Sequence, residues 1–151
     1  MKILVEIATQ ADIPAWLELA AEVGDLFGAD MAHDPAFRET LQRNIARGSA
    51  FCVRLDAEFA GAMLFRNGWI HWLGVKKHFR RRGAGRALVS HAVKSSEGEV
   101  RVVTFGANHP HPDARSAQEL YRVMGLALSD ETPAAAADGT PRVILLWRAV
   151  S

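Results

Sequence analysis

The spacing of apolar positions along the chain predicts four helices. Asp12, Asp34 and Asp113 suit helix N-caps, and the first two are each followed within two residues by a proline. Apolar residues then recur every three or four positions, as in a helix with one buried face. The same pattern predicts helices over 83–94 and 113–124, whereas the segment 25–33 between the first two helices reads as a loop.

Runs of alternating or continuous apolar residues predict strands between these helices. The predicted strands cover residues 2–8, 50–55, 59–66, 69–75, 100–105, 126–128 and 143–148. Asn67-Gly68 predicts a tight hairpin between the third and fourth of them, because both central residues of that turn need positive φ. The order β-α-α-β-β-β-α-β-α-β-β indicates an α/β (α+β) fold on one mixed sheet. We find no repeat or linker and expect residues 1–151 to form a single domain.

Composition narrows the class of protein. The chain is 49% hydrophobic and 23% charged, which is enough apolar material for a core. Its longest strongly apolar run, 143–147, is far shorter than the roughly 20 residues of a spanning helix, and the N-terminal segment lacks a signal-peptide core. A single cysteine, Cys52, forms neither an internal disulfide nor a cysteine-based zinc site. We therefore expect a cytoplasmic protein that does not enter membranes.

Charge is distributed unevenly along the chain. The segment 59–96 contains no acidic residue and carries +8, whereas the remainder carries −7. An acidic remainder argues against general nucleic-acid binding, so we expect no nucleic-acid partner. The basic segment indicates either a solvated surface or a local site for a polyanion.

The densest part of this segment follows a predicted strand and opens a predicted helix. Its sequence is Arg80-Arg81-Arg82-Gly83-Ala84-Gly85-Arg86. Amides at a helix start lack partners within the helix, glycine lets a phosphate approach them, and arginine binds phosphate oxygens with a forked geometry. The arrangement suits a pyrophosphate. It is not a Walker loop, because the string G-x-x-x-x-G-K-[ST] does not occur in the chain, and it matches a dinucleotide fingerprint poorly, because position 88 is Leu88 and not glycine.

This turn resembles the pyrophosphate motif [QR]-x-x-G-x-[GA] of the GNAT superfamily of acyl-CoA-dependent N-acetyltransferases. Phe79 matches the aromatic residue that precedes that motif, and Ala117, Tyr121 and Gly125 match a second family element. Asn108, just after the fifth predicted strand, resembles an asparagine often found there. The likeness extends in order over nearly the whole chain.

The resemblance implies a mixed, mostly antiparallel sheet of six to seven strands that splays between strands 4 and 5, with about four helices. Acetyl-CoA is implied as the co-substrate in that gap, and no metal is implied. The residues implied to bind it are Leu73, Gly74, Val75, Arg80, Arg81, Arg82, Gly83, Ala84, Gly85, Arg86, Asn108 and Ser116.

The resemblance also implies the reaction, in which a primary amine attacks the thioester directly in a ternary complex. Tyr121, the only tyrosine, falls at the family's general-acid position, although a core aromatic is the alternative. Many members carry a glutamate on the fourth strand, which is absent here. His71 on that strand is the candidate general base, and a structural histidine is the alternative.

The acceptor is less determined. In the family the first two helices and their loop form much of the acceptor wall, which here includes Asp25, Phe27, Asp30 and Met31. The two acidic residues would attract a cationic amine on either a small molecule or a peptide. A homodimer is compatible with the family. Because the strand carboxylate is missing, a non-catalytic acyl-CoA-binding or sensing domain stays an alternative.

Overall fold

The computed structural model describes residues 1–27, 30–106, 109–133 and 141–149, with the backbone alone for 25–27. Its strands are β1 Ile3–Ile7, β2 Ala50–Leu55, β3 Glu58–Arg66, β4 Trp69–Val75, β5 Glu99–Phe105, β6 Ala127–Leu128 and β7 Arg142–Arg148. Its helices are α1 Ile13–Phe27, α2 Pro35–Arg47, α3 Ala84–Ser95 and α4 Pro112–Val123, joined in part by short 3-10 turns. The predicted order of elements is confirmed. No described helix is long and apolar enough to cross a membrane.

Helix α1 begins at Ile13 as predicted, but two helix caps and one helix end differ from the prediction. Helix α1 continues to Phe27, into the segment expected to be a loop. It follows a 3-10 turn capped by Thr9, whose main-chain N–H donates to the Asp12 carboxylate at 2.9 Å. The N-cap of α4 is His111, whose Nδ1 accepts the main-chain N–H of Asp113 at 3.0 Å. The carboxylate of Asp113 is therefore left for a partner outside its own helix.

The seven strands form one mixed sheet in the order β1-β2-β3-β4-β5-β7-β6. All neighbouring strands are antiparallel except β4 and β5, which are parallel and share only the pairs Trp69–Arg101 and Ile70–Val102. The predicted splay between strands 4 and 5 is therefore confirmed. On its other edge β4 carries a bulge, where His71 is the extra residue between two pairs with β3. A bulge bends its strand, which helps to turn β4 away from β5.

Helices cover both faces of the sheet and form two buried clusters. Helices α3 and α4 contribute Leu88, Val89 and Tyr121 to the cluster on one face. Helices α1 and α2 contribute Trp16 and Leu41 to the cluster on the other. The end of β4 lies between these layers, so a gap beside this strand is bounded by α3 and α4 on one face and by α1 on the other.

A polar network ties the first strand to the start of α1. Arg54 of β2 pairs with Glu6 of β1 and with Asp12, each at 2.5 Å. Cys52 is buried on the same strand, next to this network. Burial, together with the negative charge of Asp12, raises the pKa of the Cys52 thiol to about 11. This cysteine therefore packs as a small apolar residue and has little thiolate at neutral pH.

Candidate functional site

A cleft of about 860 Å³ opens at the end of β4, between α3 and α4. Its walls are formed by Val23 of α1, residues 73–75 of β4, residues 79–81 and 83–86, and α4 residues 112, 113, 115–117, 119 and 120. Most residues implied to bind acetyl-CoA lie on these walls, Ser116 among them. Arg82 is not a wall residue, and Asn108 lies outside the described residues.

The turn that enters α3 has an unusual backbone. Arg81 has φ +63°, and Gly83, the N-cap of α3, has φ +91° and ψ 3°. Glycine adopts this left-handed conformation without the cost that a Cβ imposes. The turn brings the first amides of α3 to the cleft wall, where they lack intrahelical acceptors and add to the positive end of the helix dipole. This wall is suited to bind a phosphate group.

Two further glycines keep the cleft open. A Cβ at Gly85 would lie 2.9 Å from Cδ2 of Leu120, so the glycine lets α3 approach α4 closely. A Cβ at Gly74 would lie 2.7 Å from Cη2 of Trp72, so the Trp72 ring lies across the β4 backbone where a side chain would otherwise stand. Both glycines are wall residues, and larger side chains there would have to displace their neighbours.

Arg80 connects the turn to the two elements beside it. Its Nη1 pairs with Oδ1 of Asp113 at 2.5 Å, and its Nε donates to the carbonyl oxygen of Val75 at 3.3 Å. Both charged side chains are partly buried, with 29% and 16% of their surfaces exposed. The Arg80 charge is therefore paired within the protein itself, and the bridge joins α4 to the turn.

The other cations on the cleft walls have no described acidic partner. Arg81, Arg86 and Arg115 make no ion pair with any residue in the described ranges. Glu119, the second acidic wall residue, is held by Arg122 at 2.6 Å. Because both acidic wall residues are already paired, the cleft presents three guanidinium groups, and none of the three is paired with a described acidic residue.

Two lysines at the start of the basic turn, Lys76 and Lys77, contact α1 and not the cleft. The ammonium group of Lys76 lies 3.8 Å from Glu18, and the main-chain N–H of Lys77 donates to Glu22 at 2.8 Å. The sequence predicted that the positive charge of this segment binds a polyanion, but the charge of Lys76 instead helps to attach the end of β4 to α1.

Tyr121 lies on α4, one residue beyond the last wall position of the cleft. It is 4% exposed and belongs to the buried cluster between the sheet and α3 and α4. Burial raises the pKa of its hydroxyl above the ordinary value, so the hydroxyl is protonated at neutral pH. The residue is thus close to the cleft in sequence, but the described cleft walls do not include it.

His71, the bulged residue of β4, is exposed as a residue and is also absent from the cleft walls. Partial burial of its ring and the positive charge of Arg66 lower its pKa from the ordinary value. The ring is therefore neutral at pH 7 and has a nitrogen lone pair available to accept a proton.

Two of the residues expected at the acceptor wall, Asp30 and Met31, are not on the walls of this cleft. The side chains of Asp25 and Phe27 fall outside the described part of the chain. Asp30 is exposed and hydrogen-bonds to Nδ1 of His33 at 2.8 Å, and Met31 packs partly buried against the α1 and α2 cluster. Of the residues expected there, the structure therefore does not bring Asp30 and Met31 to the basic walls.

Sequence reasoning missed most of the wall formed by α4. Asp113, Arg115 and Leu120 line the cleft, yet only Ser116 was expected from this helix. The helical spacing of positions 113, 116, 117 and 120 was a signal that these side chains share one face. Within the described residues, no group of three or more His, Cys, Asp or Glu is placed to hold a metal ion.

A mixed sheet that opens between two parallel strands, beside a basic helix N-terminus, is the arrangement of an acetyltransferase of the GNAT type. The chain belongs to this family, because residues 13–126 match the family described as "Acetyltransferase (GNAT) family". The resemblance inferred from the turn and from α4 is therefore confirmed. A search of curated protein sequences finds no match.

Solved structures agree with the fold. An acetyltransferase of the GNAT family from Bacillus cereus is similar with a TM-score of 0.78 and 18% identity, covering 100% of both chains. The PaiA N-acetyltransferase of Thermoplasma acidophilum, in complex with coenzyme A, gives 0.68 and 16%, covering 99% of this chain and 100% of its own. YncA of Salmonella typhimurium, with its cofactor acetyl-CoA, gives 0.67 and 12%, covering 97% and 93%. At these identities the likeness establishes the fold alone.

Proposed function

We propose that the protein transfers an acetyl group from acetyl-CoA to a primary amine on a small molecule or a peptide. The observation that carries this proposal is the cleft wall at the end of β4, where helix amides and arginines without a described acidic partner meet the gap in the sheet. Membership of the family supports acetyl transfer in general. Two structures of the same fold, described with coenzyme A and with acetyl-CoA, support the choice of donor.

The donor would lie along β4. The pyrophosphate would accept hydrogen bonds from amides of residues 81–86, which stand at the positive end of α3. Beyond Ile70, β4 shares no register pair with β5 in the described residues, so its backbone has room for a strand-like partner. We assign the main-chain groups of Leu73 and Val75 to the amides of the pantetheine arm. Ser116 on α4 and, by the family resemblance, Asn108 would contact this arm from the side.

The acceptor amine must lose a proton before it attacks. For a lysine-like amine with a pKa near 10.4, freeing the lone pair at pH 7 costs about 4.6 kcal/mol. We assign this proton to His71, which lies on β4 two residues before Leu73 and whose lowered pKa leaves it neutral. The nitrogen then forms a bond to the acetyl carbon, and the bond between that carbon and sulfur breaks.

The leaving thiolate needs a proton in turn. We assign its donor as Tyr121, because burial raises the pKa of this hydroxyl and so keeps its proton on the oxygen at neutral pH. A thiol has an ordinary pKa near 8.5, below that of tyrosine, so the hydroxyl would assist departure of the sulfur chiefly by donating a hydrogen bond to the negative charge that develops there.

An amine screen tests the proposal. Consumption of acetyl-CoA is measured against a panel of polyamines, free lysine, peptides, aminoglycosides and arylamines for the wild type and Tyr121→Phe. Phenylalanine preserves the packing of the ring, so we expect coenzyme A affinity to be unchanged and kcat to fall by roughly 100-fold or more. An exposed substitution one residue away, Arg122→Lys, controls for changes in α4 and should leave kcat intact.

A second function, acyl-CoA binding without turnover, has one observation in its favour. Neither Tyr121 nor His71 lies on the described cleft walls, and β4 carries no carboxylate. Coenzyme A binding by the wild type with no turnover of any amine in the panel would support the sensor and reject the enzyme, whereas unchanged coenzyme A binding in Tyr121→Phe is expected for both functions.

A further inference from the structure

The cleft walls carry three cations that lack a described acidic partner, and these cations come from two different parts of the chain. Arg81 and Arg86 belong to the turn and to the first turn of α3, beside the amides assigned to the pyrophosphate. Arg115 belongs to the first turn of α4 and lines the cleft from a different element. Coenzyme A also carries a third phosphate group, a monoester on the 3′-oxygen of its ribose.

We propose that Arg115 binds this 3′-phosphate and thereby makes the protein distinguish coenzyme A from its 3′-dephospho form. The proposal rests on the donor site described under the proposed function and adds to it a subsite for a phosphate monoester. Such a group carries roughly −1.5 to −2 charge at pH 7 and offers three acceptor oxygens to a guanidinium.

The surroundings of Arg115 leave its charge available. Two acidic residues flank it on α4, and each is already paired: Asp113 with Arg80 at 2.5 Å, and Glu119 with Arg122 at 2.6 Å. Arg115 itself is exposed and makes no ion pair with the residues that the structure describes. A guanidinium left without an acid, on the wall of a cleft, is available to an anion that enters it.

The pairing of Arg80 with Asp113 adds a positional argument. This bridge fixes the start of α4, and hence the backbone of Arg115, to the turn that would hold the pyrophosphate. The 3′-phosphate is joined to the pyrophosphate through a single ribose, so its receptor must stand at a fixed, short distance from the turn. A cation on α4 meets this requirement, whereas Lys94, in the last turn of α3, stands at the opposite end of its helix.

The test is a two-by-two comparison by isothermal titration calorimetry, with wild type and Arg115→Gln each titrated with coenzyme A and with 3′-dephospho-coenzyme A. We expect the wild type to bind coenzyme A roughly 10-fold more tightly than the dephospho form, as for a charge-assisted contact near the surface. Arg115→Gln should bind both ligands with the affinity that the wild type has for the dephospho form. Lys94→Gln removes the same charge away from the cleft and should keep the wild-type preference.

Three outcomes would overturn the inference while leaving the donor site in place. They are equal binding of both ligands by the wild type, an equal loss for both ligands in Arg115→Gln, and loss of the preference in Arg86→Gln but not in Arg115→Gln. Failure of the wild type to bind either ligand would instead reject the proposed function, together with the subsite that depends on it.

Discussion

Replacing Gly83 by alanine is the most direct test of the amide wall. Gly83 has φ +91°, and a non-glycine residue in the left-handed region costs about 1–2 kcal/mol. The added Cβ would lie 3.3 Å from Cδ1 of Ile3, the end of a flexible side chain, so steric overlap adds little. For a chain of 151 residues we expect Tm to fall by roughly 2–8 °C.

We expect Gly83→Ala to weaken coenzyme A binding by more free energy than it removes from the stability of the fold. The turn can relieve the strain at Gly83 only by rotating the peptide groups that open α3, which moves their N–H groups out of line. A hydrogen bond to a charged group contributes about 1.5–3 kcal/mol, so the loss of one should weaken coenzyme A binding by roughly 10- to 100-fold. Calorimetric titration gives the affinity, and thermal denaturation without ligand gives the change in stability.

Gly48→Ala is the matched control for this experiment. Gly48 ends α2 in the same left-handed region, with φ +75° and no described atom within 4 Å of the position that a Cβ would occupy, and it is not among the cleft wall residues. It should lower Tm by a similar amount and leave coenzyme A affinity unchanged. If Gly83→Ala also left that affinity unchanged while lowering Tm, the amides of this turn would not be the pyrophosphate site.

Other contacts give independent expectations. Arg80→Ala and Asp113→Ala should each lower the free energy of unfolding by about 1 kcal/mol. Urea denaturation of the double variant should show that the two losses are coupled, whereas strictly additive losses would contradict the bridge. Since the pKa of Cys52 is raised to about 11, the native thiol should react with Ellman's reagent at pH 8 roughly 100-fold more slowly than the unfolded chain, and equal rates would show that the thiol is accessible. Because the folded protein lowers the pKa of His71, the unfolded chain binds more protons than the folded protein as the pH falls below about 6.5. His71 therefore contributes part of the stability that is lost between pH 7 and pH 5. In His71→Asn this part of the loss should be absent when Tm is measured as a function of pH.

Local signals explain which parts of the fold could be predicted. Asn67 and Gly68 have φ values of +53° and +83°, the conformation that their hairpin requires. Asp34 caps α2 by accepting the N–H of Ala36 at 2.9 Å, and Gly48 ends that helix, as their residue types indicate. In each case the conformation is decided by residues within a few positions of one another, so the sequence pattern is sufficient.

Tertiary contacts explain what was missed. Asp113 was expected to be a helix cap, but its carboxylate pairs with Arg80, 33 positions earlier, and His111 takes the cap instead. The bulge at His71 has no glycine or proline to mark it. The positions of Arg115 and Leu120 on the cleft wall depend on how α4 packs against α3, which periodicity within one helix does not determine.

The short pairing between β4 and β5 has a consequence for contacts between protein molecules. Unsatisfied main-chain groups at the rim of a sheet invite pairing with other chains and hence aggregation. Here the break lies in the middle of the sheet, with β3 on one side, β7 on the other, and α3 and α4 beside its mouth. The main-chain groups of β4 beyond Ile70 therefore lie inside the sheet and not at its rim, and a strand from another molecule would have to pass these neighbouring elements to reach them.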